Sequence, residues 1–78
     1  MKSVVIQGRL RVFKKVLGGT LLCKTDEIIS AGTRIKVGEV RLMPFDDQDQ
    51  RVLPVEWDGA TDPNERFVLE KEYKKVLM

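Results

Sequence analysis

Apolar and polar residues alternate with a period of two along much of this chain, as in strands that bury one face and wet the other. Val4, Ile6, Leu10 and Val12 share one parity with Gly8 among them, which predicts a long half-buried first strand. A glycine in mid-strand marks a bulge or a sharp bend. The opposite parity carries Val5, Gln7, Arg9, Arg11, Phe13 and Lys15. Gly18-Gly19 is a two-residue hairpin signal, and residues 20–24 are the predicted return strand. Residues 25–32 read as one or two helical turns, with Thr25 as N-cap, Asp26 and Glu27 at the positive end of the dipole, and Gly32 closing the turn.

Alternation resumes with Ile35 and Val37 inside and Arg34 and Lys36 outside, then changes phase at Val40 and Leu42. Two local structures produce such a slip. Gly38-Glu39 can form a tight type II′ turn, or Gly38 can seed a bulge in one long bent strand. The bent strand is preferred, because small barrels need such corners to close. Residues 44–50 are expected to be a solvated acidic connector without the glycine turn and bidentate Glu of a calcium loop. Leu53, Val55 and Trp57 then alternate with Pro54 and Glu56, predicting a strand centred on an inward-facing Trp57 that buries more apolar area than any other single element. Pro54 implies that one edge of that strand is bulged or unpaired, and Asp58-Gly59 ends it.

The C-terminal segment admits two readings. Asp62-Pro63-Asn64-Glu65 has the grammar of a helix start, and Leu69, Tyr73, Val76 and Leu77 fall on one helical stripe. The β-friendly centre Phe67-Val68-Leu69 instead favours a strand over residues 66–70 followed by a helical turn at 72–76, and this second reading is adopted. About five short strands with one or two helical turns predict a mostly β fold, a small SH3-like or OB-like barrel formed by residues 1–78 as one domain. The segment Val55-Glu56-Trp57-Asp58-Gly59, followed by an apolar strand, resembles the middle of SH3-like and Tudor-like barrels. That resemblance implies a fold and carries no binding residues with it.

Composition narrows the chemistry. The chain of 78 residues is 42% apolar, enough for one small core. No apolar run approaches the roughly 20 residues that span a bilayer, and Gln7, Gly8 and Arg9 interrupt the N-terminal apolar run before a signal-peptide core forms. A cytoplasmic protein with no membrane association is therefore expected. Cys23 is the single cysteine, expected to be a small buried apolar residue. Histidine is absent, which removes the commonest general base and the imidazole metal sites. No phosphate-binding glycine motif occurs. The expectation is a protein that is not an enzyme and needs no cofactor or metal.

Charge is unevenly distributed. Residues 1–43 carry nine basic and three acidic side chains, giving +6, while residues 44–78 carry five basic and nine acidic ones, giving −4. Two functional readings follow. The first is a protein-interaction module, an accessory or inhibitor protein docking on a larger partner through acidic residues such as Asp46, Asp47, Asp49 and Glu56. Two oppositely charged faces would also permit head-to-tail homo-oligomers. The alternative is a nucleic-acid-binding barrel, in which Arg9, Arg11, Lys15, Arg34 and Lys36 meet phosphates and Phe13 stacks on a base. The discriminating feature is Phe13: an exposed ring favours nucleic acid.

Overall fold

A computed structural model describes residues 1–16, 21–59 and 65–77. The chain forms β1 (Lys2–Val5), β2 (Leu10–Val16), β3 (Leu21–Ile29), β4 (Arg34–Val37), β5 (Arg41–Phe45), β6 (Gln48–Glu56), β7 (Arg66–Leu69) and a short helix α1 (Glu70–Lys75). All strand pairs are antiparallel, in the order β1-β4-β6-β7-β2-β3, with β5 added to β6 beside β4. The fold is mostly β, and β1 and β3 form the two ends of the sheet path, which does not close on itself. The Cα radius of gyration is 11.5 Å, which is what one compact unit of this length has.

The expected single first strand is two strands. Its chain turns a corner at Gln7–Arg9, so β1 pairs with β4 while β2 pairs with β3 and β7. Val5 faces Arg34 and Leu10 faces Ile29, so five steps on one side match five on the other and both pairings belong to one bent hairpin. Bonds from the Ile6 amide to Thr33 O (3.1 Å) and from the Gly32 amide to Ile6 O (2.8 Å) carry the ladder into the corner. Gly8 sits there because a Cβ would stand 3.1 Å from Val76 Cγ1, and the adjacent Gln7 amide donates to Val76 O.

The helical turns expected over 25–32 are absent: β3 runs through to Ile29. Arg11 faces Ile28 and Phe13 faces Lys24, so two steps along β2 are matched by four along β3, and the surplus forms a bulge around Thr25–Glu27. Thr25 Oγ1 donates to Val12 O at 2.7 Å and accepts from the Glu27 amide at 3.1 Å. That second bond is a side-chain turn two residues long, which uses the same Thr-Asp-Glu wording as a helix cap.

At the phase change, the bent strand is what forms. β4 and β5 both pair with β6 and not with each other. Val37 faces Val55 and Arg41 faces Val52, so four steps on one strand match three on the other, a one-residue bulge. Pro54 lies opposite it. The Gly38 amide donates to Pro54 O at 2.9 Å, so the proline ring nitrogen, on the same side, faces the bulge where no donor is needed. The expected acidic connector is a tight hairpin: Phe45 faces Gln48, and Asp46 and Asp47 form the two-residue turn with φ of 54° and 64°. Positive φ at both central positions is the type I′ geometry that Asp tolerates. At the C-terminus, strand then helix is found, as β7 and α1. The Gly18-Gly19 turn and the Asp62-Pro63-Asn64 cap lie outside the described residues.

Two apolar clusters occupy opposite faces of the β2–β7–β6 wall. One holds Ile6, Leu10, Val12, Ile29, Ile35, Val37, Leu53, Val55, Val68 and Tyr73. The other holds Phe13, Leu22, Met43, Val52, Phe67 and Leu69, with Phe45 against it. Neighbours in sequence therefore enter different clusters, and Phe67 is fully buried. Trp57 is a correction: it is only half-buried at the rim of the first cluster, and Phe67 takes the central role expected of it. Cys23 is also a correction, since it is exposed while Leu22 beside it takes the inward position.

Candidate binding groove

Two concavities carry polar and charged side chains of the candidate sets. One is a groove of about 600 Å³ beside the β3 bulge. Its base comes from β2 and β7, through Arg11, Phe13 and Leu69. Lys24 and Ile28 of β3, Phe45 and Asp46 at the end of β5, Lys71 and Glu72 of α1, and Arg9 complete its lining. Local structure explains this assembly. The β3 bulge separates Lys24 from Ile28, and both line the groove, while β5 packs against β3 and brings Phe45 and Asp46 to the same lining.

Several side chains are fixed. Arg11 Nη1 donates to Thr25 O at 2.7 Å, which ties the guanidinium to the bulge; among the described residues its other N–H groups have no hydrogen-bond partner. Phe13 and Phe45 meet edge to face, with ring centroids 5.2 Å apart and planes at 86°. Glu27, on the bulge, is taken by Arg66 Nε at 3.4 Å. Glu72 lies 4.0 Å from Lys75. Among the described residues Arg9, Lys24 and Lys71 have no carboxylate within ion-pair distance. Ile28 is 41% exposed, an apolar side chain on a wall otherwise charged.

The second concavity, about 240 Å³, is lined by Ser3, Arg34, Lys36, Glu56, Trp57 and Asp58. Lys36 Nζ stands 3.8 Å from Glu56 Oε1, so part of its charge is met within the chain. Elsewhere, Arg51 grips Glu70 through Nε (2.7 Å) and Nη2 (3.4 Å). This forked bond holds the Glu70 carboxyl below its ordinary range and raises the Arg51 guanidinium. Burial pushes the Tyr73 phenol up.

The expected basic platform does not assemble as one surface. Arg9, Arg11 and Phe13 share the groove, Lys15 faces Leu22 outside its lining, and Arg34 and Lys36 belong to the Trp57 concavity. Phe13 is 4% exposed, so its ring offers no open face to a base. The expected acidic contact set divides too. Asp46, Asp47 and Asp49 cluster at the β5–β6 turn, while Glu56 is at the other end of β6, roughly 20 Å away at ~3.3 Å per residue. Lys24, Ile28, Phe45 and Lys71 joined the site without a sequence signal; the bulge that presents Lys24 and Ile28 was legible only as a false helix cap.

Comparison with known proteins finds no matching family model, no matching curated protein and no matching solved structure. The likeness of Val55–Gly59 to SH3-like and Tudor-like barrels stands on those residues alone. Among the described residues no helix is long and apolar enough to cross a membrane, and no group of three or more His, Cys, Asp or Glu side chains is placed to hold a metal ion.

Proposed function

We propose that this protein is a small non-enzymatic protein-interaction module, an accessory or inhibitor protein that docks on a larger partner, and that it docks through the groove beside the β3 bulge. The observation that carries this reading is the meeting in one groove of apolar side chains, Ile28, Phe45 and Leu69, with cations that have no carboxylate partner among the described residues. Desolvated apolar anchors ringed by charge are how protein interfaces gain affinity and exclude wrong partners. Support for a non-enzymatic role comes from the described charged side chains, none of which is buried; general acids are tuned by such burial. A small SH3-like or OB-like barrel is the proposed fold type, since β1–β2 and β3–β4 are each one bent chain path that serves both ends of the sheet. The exposed thiol of Cys23 fits a reducing compartment, so the cytoplasm is the proposed location.

The alternative, a nucleic-acid-binding barrel, draws on Arg9, Arg11, Lys24 and Lys71 in the same groove. It has less support, because Phe13 is buried and because Asp46 and Glu72 stand in the groove where phosphates would pass. Affinity purification of the tagged full chain from its native cells, with and without nuclease, separates the two. The expected result is a near-stoichiometric protein partner retained after nuclease and direct titrations with single- and double-stranded DNA and RNA that show no binding at about 50 mM salt. Retention of nucleic acid alone, or of no macromolecule, refutes the module.

A further inference from the structure

The groove's chemistry specifies a kind of ligand. Ile28, Phe45 and Leu69 supply the apolar part of the lining, and Ile28 is 41% exposed in the chain alone. Around it stand Arg9, Lys24 and Lys71, which have no carboxylate within ion-pair distance among the described residues, and Arg11, tethered by one bond to Thr25 O. A ligand that satisfies both features carries an apolar side chain with carboxylates close to it. Its volume of about 600 Å³ lies within the range of built ligand sites.

From this juxtaposition we infer that the groove binds a short acidic peptide segment of the partner, with a large aliphatic or aromatic side chain lodged against Ile28 and Phe45 and flanking Asp or Glu side chains paired with Arg9, Lys24 and Lys71. This inference rests on the interaction-module reading and names its ligand. Charge complementarity favours a peptide over a nucleic acid. Carboxylates spaced along a peptide can meet the cations and avoid Asp46 and Glu72, whereas a phosphate backbone is uniformly charged. The ring of Phe45 is turned edge-on against Phe13, so no pair of parallel faces is offered to a base.

The test is selection from a displayed random-peptide library on the immobilised full chain, followed by anisotropy titration of the best-enriched peptide, labelled. Enriched sequences are expected to combine Asp or Glu with Leu, Ile, Phe or Trp. Lys24→Glu is expected to weaken binding by roughly ten-fold or more. Lys36→Glu makes the same change in net charge in the Trp57 concavity and is expected to leave affinity within about two-fold. Ile28→Asp should also abolish binding; each variant's circular dichroism is compared with wild type, and Lys24 is exposed enough to be changed without unfolding. No enrichment, enrichment without carboxylates, or equal effects of Lys24→Glu and Lys36→Glu overturns the inference. So does displacement of the peptide by a single-stranded oligonucleotide that binds more tightly and with the same Lys24 dependence. If instead the native partner co-purifies equally with wild type and Lys24→Glu, the groove assignment falls while the module reading stands.

Discussion

Replacing Gly38 by alanine puts a methyl group where the Pro54 ring already stands. A Cβ at this position would lie 2.7 Å from Pro54 Cγ and 3.5 Å from Cδ. Gly38 is not among the residues with positive φ, so the cost is one of space rather than of backbone strain. Neither side gives way easily. Pro54 is buried with a rigid ring, and the 2.9 Å bond from the Gly38 amide to Pro54 O ties the two backbones together. Overpacking of this kind costs about 1–3 kcal/mol, and stiffening of the unfolded chain returns about 0.4–1 kcal/mol. A net loss of about 1–2 kcal/mol remains, from a total of about 4–12 kcal/mol for a domain this size. The protein therefore stays folded, with its thermal midpoint lowered by roughly 4–16 °C.

A double-mutant cycle read by urea denaturation isolates the contact. In a Pro54→Ala background the ring is gone, so Gly38→Ala should become nearly neutral, and the coupling should recover about 1 kcal/mol or more. Gly32→Ala is the control: Gly32 has φ of +87° and open space around it, so alanine costs about 1–2 kcal/mol through strain, whatever occupies position 54. The bulge geometry is refuted if Gly38→Ala is neutral in the wild type, or equally costly in both backgrounds.

Phe67→Ala should cost about 3–5 kcal/mol and leave little folded protein by circular dichroism, while Trp57→Ala, at the rim, should cost only about 1–2 kcal/mol; the reverse order in urea midpoints would restore Trp57 as the anchor. Thr25→Val keeps the shape but strips the bulge of both Oγ1 bonds, for about 1–2 kcal/mol, and should speed amide exchange at Glu27 specifically. For Glu70, the folded carboxyl titrates lower than in the unfolded chain. The unfolded state thus binds the proton first as pH falls, and the pair's stabilisation is present above the ordinary carboxyl range and lost as pH drops through the lowered value. Glu70→Gln should flatten this acid limb in a pH series of melts, and an unchanged limb would show that Arg51 contributes nothing there.

Alternation in the sequence located strands well where one face is wet. Ile35 and Val37 are buried, and Arg34 and Lys36 are exposed, as their parity requires. The rule failed along the central wall, where both faces are covered: Val12 and Phe13, Val52 to Val55, and Phe67 to Leu69 are buried consecutively. Sharing parity with Arg9, Arg11 and Lys15 placed Phe13 on a supposedly wet face, although β3 and β5 build a second cluster over it. Other misreadings were local. Thr25 serves a strand bulge with the bonds of a cap, and Asp46-Asp47 makes a hairpin turn without glycine. Of the groove, Arg9, Arg11, Phe13 and Asp46 could be nominated from sequence, the first three because they are close along the chain. Lys24, Ile28, Phe45 and Lys71 come from three other elements, and only the long-range pairing brings them together.

The charge asymmetry of the linear chain is dispersed by the same topology. β6 and β7, from the acidic half, lie between β4 and β2, from the basic half, so strands of the two halves alternate in the sheet. The groove's own charges are local: three cations without carboxylate partners among the described residues beside the exposed Ile28, and an acidic turn that supplies Asp46. With a formal net charge of only +2, long-range attraction of any polyanion is weak at physiological salt. Selectivity must then come from contacts within a few ångströms, where Lys24 and Lys36 differ although each contributes one positive charge. A ligand that could not tell Lys24→Glu from Lys36→Glu would be responding to net charge, and this fold has little net charge to respond to.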